Sequence, residues 1–172
     1  MNHVVLYQPE IPQNTGNIAR TCVGTGTPLH LIKPYGFSLE DKYVKRAGLD
    51  YWKDLELYEY ESIEEFFEKS SGKYYMISKF GKKHFTDMDY SSTEVDHYLV
   101  FGRETKGLPD WLKDEYQDSL MRIPMTDKVR SLNLSNTAGI LVYEALRQQD
   151  FNDLLREEPL DESHKGPDYL ER

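Results

Sequence analysis

The chain has 172 residues, 38% of them hydrophobic and 30% charged, with a formal net charge of −9. That size and balance describe one soluble globular domain that buries a core without staples, and no apolar run is long enough to span a membrane. Cys22 is the only cysteine, which excludes an internal disulfide and a Cys-rich zinc site, and the opening MNHVVLYQPEIP lacks the layout of a signal peptide, so a cytoplasmic location is expected.

Strand-like and helix-like runs alternate along the chain. Residues 3–7 are apolar and β-branched and predict a buried strand, followed by a short helix over 17–25 and a second strand over 29–33. Residues 41–48 predict a short helix ending at Gly48, and 55–60 an edge strand. Ser62 and Glu65 compose a capping box for a helix over 62–69. Strands are expected at 74–78 and 98–102, separated by a long polar loop over 82–96. Pro109 opens a helix to residue 116, a last strand covers 120–124, and a last helix covers 135–149. In that helix Leu134, Ala138, Leu141, Val142, Ala145 and Leu146 mark one buried face. Gly139 inside it costs about 1 kcal/mol relative to alanine, so another backbone is expected close by. Strands separated by helices predict an α/β fold, a mostly parallel sheet with helices on both faces. Residues 1–151 form its domain. Residues 152–172 form an acidic tail in which periodicity fades and disorder is expected.

Charge is unevenly spread. From Asp150 to Arg172 eight acidic residues face three basic ones, leaving −4 on the first 149 residues. Lys42, Lys45 and Arg46 form one local basic group, and Lys79, Lys82, Lys83 and His84 another. Each reads equally as solvated surface or as part of a nucleic-acid patch.

Ligands of parallel α/β sheets bind beyond the carboxyl ends of the strands, and three loops fall there. In the first, residues 9–20, Asn14 to Asn17 are expected to form a turn into a helix, with Arg20 about one turn inside. That layout suits an anion, but on these residues alone a plain turn with a surface arginine is the favoured reading. The second, residues 101–109, has Gly102 directly after a strand, where a ligand is able to approach the backbone. Glu104 there is positioned to accept N–H groups across the turn, and a tight structural turn explains the same residues. It is neither a Walker A nor a GxGxxG motif. The third precedes the last helix: Ser131, Asn133, Ser135 and Asn136 all suit an N-cap, although one cap needs only one of them. The surplus points to a loop shaped around a polar ligand. Tyr143 shares a non-core face with Ile140 and Arg147. The five histidines show no metal-ligand spacing, and His3 and His30 sit near strand starts as structural residues.

Together Asn14-Thr-Gly-Asn-Ile-Ala-Arg20, Phe101-Gly-Arg-Glu-Thr-Lys-Gly-Leu-Pro109, Ile123-Pro-Met, Ser131-Leu-Asn-Leu-Ser-Asn136 and Lys45-Arg-Ala-Gly-Leu-Asp-Tyr51 resemble the SPOUT superfamily of RNA methyltransferases. The likeness is greatest to its single-domain tRNA wobble-nucleotide 2′-O-methyltransferases, the TrmL/YibK-like group, and runs from about residue 3 to 151. It implies a SPOUT fold with a C-terminal trefoil knot, which ordinary topology rules would reject. It also implies S-adenosylmethionine as cofactor, tRNA as substrate, no metal, and a homodimer with active sites at the interface. By match, Ile77, Gly102, Ile123, Ser131, Leu132 and Asn133 would bind the cofactor, Arg20 would be the catalytic arginine, and Tyr143 would serve the tRNA reaction. Asn14, Lys42, Lys45, Arg46 and Arg103 are candidates for tRNA contact; Arg103 stands where relatives often carry proline. Two other functions suit the same motifs: a non-catalytic RNA-binding protein of this fold, and ribosomal RNA 2′-O-methylation.

Overall fold

Among the described residues the strands are β1 (Asn2–Tyr7), β2 (Leu29–Ile32), β3 (Leu57–Tyr60), β4 (Lys73–Ile77), β5 (Lys83–His84), β6 (His97–Phe101) and β7 (Leu120–Arg122). The α-helices described there are α1 (Pro12–Thr25), α2 (Ile63–Lys69), α3 (Asp110–Glu115) and α4 (Leu134–Gln148). The structure is a computed structural model that describes residues 1–39 and 51–157. The helix expected at 41–48, the basic group Lys42, Lys45 and Arg46, and the tail from residue 158 lie outside the described residues.

The strands form one sheet in the order β3-β2-β1-β6-β4-β7-β5, with every pairing parallel. Parallel pairing requires crossovers, and these cover both faces, which is why the central strands carry near-continuous apolar sequence. The pleat sorts their side chains. Val4, Leu6, Leu99 and Phe101 face a core closed by Ile18 and Cys22 of α1 and by Ala138, Leu141, Val142 and Ala145 of α4. Val5, Tyr98 and Val100 face a second core closed by Ile63 and Phe66 of α2 and Leu112 of α3. Cys22 is buried, and burial pushes its thiol pKa up, so it is an inert core residue.

Four local expectations are corrected. The first helix starts at Pro12, so Asn14–Asn17 belong to the helix rather than to a turn before it. Proline's fixed φ suits the first helical position, and this outweighed the turn signal of the polar residues. The loop expected over 82–96 contains the short edge strand β5 and a 3₁₀ turn, Phe85–Asp87, whose polar residues carry no strand periodicity. Only half of the capping box forms as expected: Ser62 Oγ accepts from Glu65 N at 3.2 Å, while the Glu65 carboxylate accepts from Glu61 N. Gly139 faces open space within the chain, so no neighbouring backbone explains it. Leu154, beyond α4, still packs on the first core.

His3 and His30 are buried on adjacent strands, His3 Nδ1 lying 3.0 Å from His30 Nε2 and His30 Nδ1 lying 2.9 Å from Tyr60 Oη. Burial lowers both pKa values, that of His30 to about 3, although Asp96 beside His3 pulls the other way. A depressed folded pKa means the unfolded chain takes up more protons, so this stabilisation is complete above the ordinary histidine pKa of 6.5 and is lost as pH falls toward about 3. For His30 the loss amounts to about 2 kcal/mol by pH 5. Thermal melts are therefore expected to drop by about 4–8 °C between pH 7 and pH 5, and the drop should shrink in His30→Gln.

Candidate active site

Loops leaving the carboxyl ends of β1, β4, β6 and β7 converge on one side of the sheet, and they are fastened by an exchange of carboxylates. Glu104, on the loop after β6, accepts from Glu10 N at 2.8 Å, Ile11 N at 3.2 Å and Asn14 Nδ2 at 3.1 Å. Glu10, on the loop after β1, accepts in return from Arg103 Nη2 at 2.8 Å and from Thr105 N at 2.9 Å. The Thr105 amide, then its hydroxyl and Arg103, hold the Glu10 carboxyl below the usual range. Glu104 thus fastens the residues leading into α1, whose N-cap residue Ile11 supplies no side-chain cap and whose first turn has no acidic residue. A carboxylate there is favoured by the free amides and the helix dipole.

The third loop joins through Asn14, a buried side chain whose Oδ1 accepts from Asn133 Nδ2 at 3.0 Å. Of the four candidate caps in that loop, Asn133 is the one used: its Oδ1 accepts from Ser135 N at 2.8 Å and Asn136 N at 3.4 Å. Asn14 and Asn133 therefore link the starts of α1 and α4.

Behind this clamp lies a cavity of about 720 Å³, within the range of small-molecule sites. Ile77, Phe101, Ile123, Leu132 and Leu134 give it apolar walls, with Asn133 and Thr137 as polar groups and Arg103, Lys106 and Arg130 as cations. All six residues matched to cofactor binding, Ile77, Gly102, Ile123, Ser131, Leu132 and Asn133, line it, as do Asn14 and Arg103. Gly102 has a different reason from the one expected. A Cβ there would strike the backbone of Gly107 and Leu108, so its bareness serves the closure of its own loop. That closure is an Arg103–Gly107 bridge with Gly107 at φ +68°. Arg103 is committed to Glu10, which offsets its charge.

Arg20 and Tyr143 do not line this cavity. Arg20 is exposed on α1 with its guanidinium 5.1 Å from the centre of the Tyr51 ring. Tyr143 is 51% exposed on α4 and borders a separate depression of about 1160 Å³ near the N-terminus. Residues 78–80, after β4, line the cavity and were not singled out as part of it. Their position after a strand end was the available signal.

A parallel sheet with a crevice of this size at its strand ends is the layout of an α/β domain that binds a small ligand there, and the chain belongs to the SpoU rRNA Methylase family, whose model matches residues 1–143. A Listeria monocytogenes protein provisionally named a tRNA (cytidine(34)-2′-O)-methyltransferase is 61% identical over 157 residues, covering 91% of this chain and 93% of its own. A solved structure giving insight into 2-OH methylation of C/U34 on tRNA matches at TM-score 0.80 and 42% identity, over 87% of this chain and 97% of that one. An AdoMet-bound rRNA methyltransferase from Sinorhizobium meliloti matches at TM-score 0.76 and 27% identity, over 85% of this chain and 56% of that one. Among the described residues no helix is long and apolar enough to cross a membrane, and no cluster of three or more His, Cys, Asp or Glu is placed to hold a metal.

Proposed function

We propose that this chain transfers a methyl group from S-adenosylmethionine to the ribose 2′-hydroxyl of nucleotide 34 in tRNA, acting in the cytoplasm as a homodimer. One observation carries the reading: the loops after β1, β4, β6 and β7 meet around a single cavity lined by Ile77, Gly102, Ile123, Ser131, Leu132 and Asn133. The similarity to proteins named for this reaction supports the choice of substrate.

The apolar walls suit an adenine ring and a thioether chain, and Asn133 and the loop amides suit the ribose and the amino acid end. S-adenosylmethionine bound there supplies a methyl group already activated by a positive sulfur. What remains for the protein is alignment and management of one proton, and alignment alone is worth several orders of magnitude. Arg20 is assigned to the acceptor side. A guanidinium holds its proton too firmly to serve as an easy base, so it positions a phosphate and stabilises charge developing on the 2′-oxygen. A phosphate or a water takes the proton.

The homodimer is assigned because one chain leaves these groups apart. Arg20 and Tyr143 lie off the cavity, yet Ile140 and Tyr143 expose apolar surface on α4 beside the open space at Gly139. A second copy against that face covers it and brings Arg20 of one chain toward the cavity of the other. The trefoil knot belongs to the same reading: from β7 the chain returns across the strand ends to α4, which packs on the α1 side of the sheet.

Lys42, Lys45, Arg46 and Arg103 are assigned to the tRNA backbone, so affinity should fall steeply with added salt. The deciding experiment maps ribose methylation in tRNA from cells with and without this gene. Loss of methylation at nucleotide 34 alone is expected; an unchanged map would refute the reading.

A further inference from the structure

At the rim of the cavity the surface carries a second feature, joined to it through Lys79, Phe80 and Met125. Phe80 is 64% exposed, a large aromatic turned to solvent. It is not loosely placed. Ser78 Oγ accepts from Phe80 N at 3.2 Å, and Gly81 N donates to Ser78 O at 3.1 Å, closing a turn. Beneath the turn Gly81 is pressed on Met121, where a Cβ would fall 2.5 Å from the backbone carbonyl carbon. The ring is therefore held outward by the backbone. Two cations approach it, Lys79 Nζ at 5.0 Å and Lys113 Nζ at 5.1 Å from its centre, the latter also paired with Asp110.

From Phe80 a groove of about 580 Å³ runs to the sheet edge, where His84 of β5 sits opposite Arg122 of β7. Lys79, Lys82, His84 and Arg122 line it, and no carboxylate does. In a chain of net charge −9 that is a strong local departure. The groove shares Lys79, Phe80 and Met125 with the large cavity, so the two are continuous. An outward aromatic beside a groove lined by cations is the layout that binds single-stranded nucleic acid, the ring taking a base and the cations the phosphates.

We propose that this groove seats the RNA strand next to the methylated nucleotide, with Phe80 stacking on a base and Lys79, Lys82 and Arg122 holding the flanking phosphates. The proposal rests on the tRNA methyltransferase reading given above. Its test measures binding of unfractionated tRNA from a strain lacking the gene by wild type, Phe80→Ala, Phe80→Trp and Lys82→Glu/Arg122→Glu, with S-adenosylhomocysteine calorimetry on each. Phe80→Ala should weaken tRNA binding about tenfold, with Phe80→Trp within about threefold of wild type. The double charge reversal should weaken it further and flatten the salt dependence. Cofactor affinity should stay within about twofold in Lys82→Glu/Arg122→Glu, whose residues lie outside the cavity lining. Wild-type tRNA affinity in both Phe80→Ala and the double variant would overturn the groove while leaving the methyltransferase reading intact. Equal loss of cofactor binding in every variant would also overturn it, assigning the patch to the cavity instead. A wild-type protein that neither binds nor methylates tRNA would remove the underlying reading itself.

Discussion

Arg20→Lys is expected to lower methyl transfer to tRNA by about a hundredfold or more, with S-adenosylhomocysteine affinity within about twofold of wild type. Arg20 is exposed, six residues beyond Asn14 on α1, and lies outside the cavity lining. Removing its guanidinium therefore leaves the Asn14–Asn133–Glu104 clamp and the apolar walls untouched. Lysine keeps the charge and loses the planar fork, which is the part suited to gripping a phosphate and an incipient alkoxide together. Rates under saturating tRNA and calorimetry with S-adenosylhomocysteine check the two halves. Near-normal turnover would remove Arg20 from the reaction. A matching loss of cofactor affinity would make it a structural residue.

The same residue gives a sharper test of the dimer. If Arg20 of one chain serves the cavity of the other, Arg20→Ala subunits and cavity-defective subunits each form inactive homodimers. A mixed dimer then contains one site with an intact cavity and an intact arginine. Equal mixtures after subunit exchange should recover about a quarter of wild-type activity, since half the dimers are mixed and each carries one working site of two. An inactive mixture with demonstrated exchange would place both groups within one subunit.

The architecture was readable from the sequence because burial on both faces of a parallel sheet forces continuous apolar strands, and Val4–Leu6 and Tyr98–Phe101 show it plainly. The stripe of α4 was equally clear: Ala138, Leu141, Val142 and Ala145 are all fully buried. What escaped were features set by distant partners. The start of α1 was placed five residues late because Glu104, which fastens the residues leading into it, lies more than ninety residues away in sequence. Polar residues without a visible cap read as a turn. Glu104 itself was noticed, but its partners proved to be the amides of another loop rather than its own turn. Gly102 lines the cavity, and its bareness also makes room for the backbone of Gly107, a partner that its place after a strand did not reveal. Edge strand β5 had no signal, since two polar residues have no period. The candidate site fared better where a strand end could be located. The residues after β4 meet the same rule, but Lys79 was read only as a member of the basic group with Lys82, Lys83 and His84.

Glu104→Gln is expected to destabilise the protein by about 2 kcal/mol and to weaken S-adenosylhomocysteine binding at least about tenfold. The substitution changes one atom in shape and inverts one in chemistry. Three donors converge on the carboxylate: Ile11 N and Asn14 Nδ2 on one oxygen, Glu10 N on the other. An amide satisfies one of these positions and turns its own N–H₂ toward donors at the other, leaving at least one backbone N–H without an acceptor. The negative charge at the start of α1 is lost as well. Because Asn14 links Glu104 to Asn133, the disturbance passes to the cap of α4 and so to the wall formed by Leu132 and Leu134. Stability and cofactor affinity should therefore fall together, unlike the separation expected for Arg20. Asn133→Asp acts on the same link from the other side: its carboxylate still caps α4 but has no N–H for the buried Asn14 Oδ1, so it too should lower the melting temperature and cofactor affinity together. Thermal unfolding and calorimetry on the two variants decide the point, and a Glu104→Gln protein that melts and binds like wild type would show that the loops hold their geometry without the exchange.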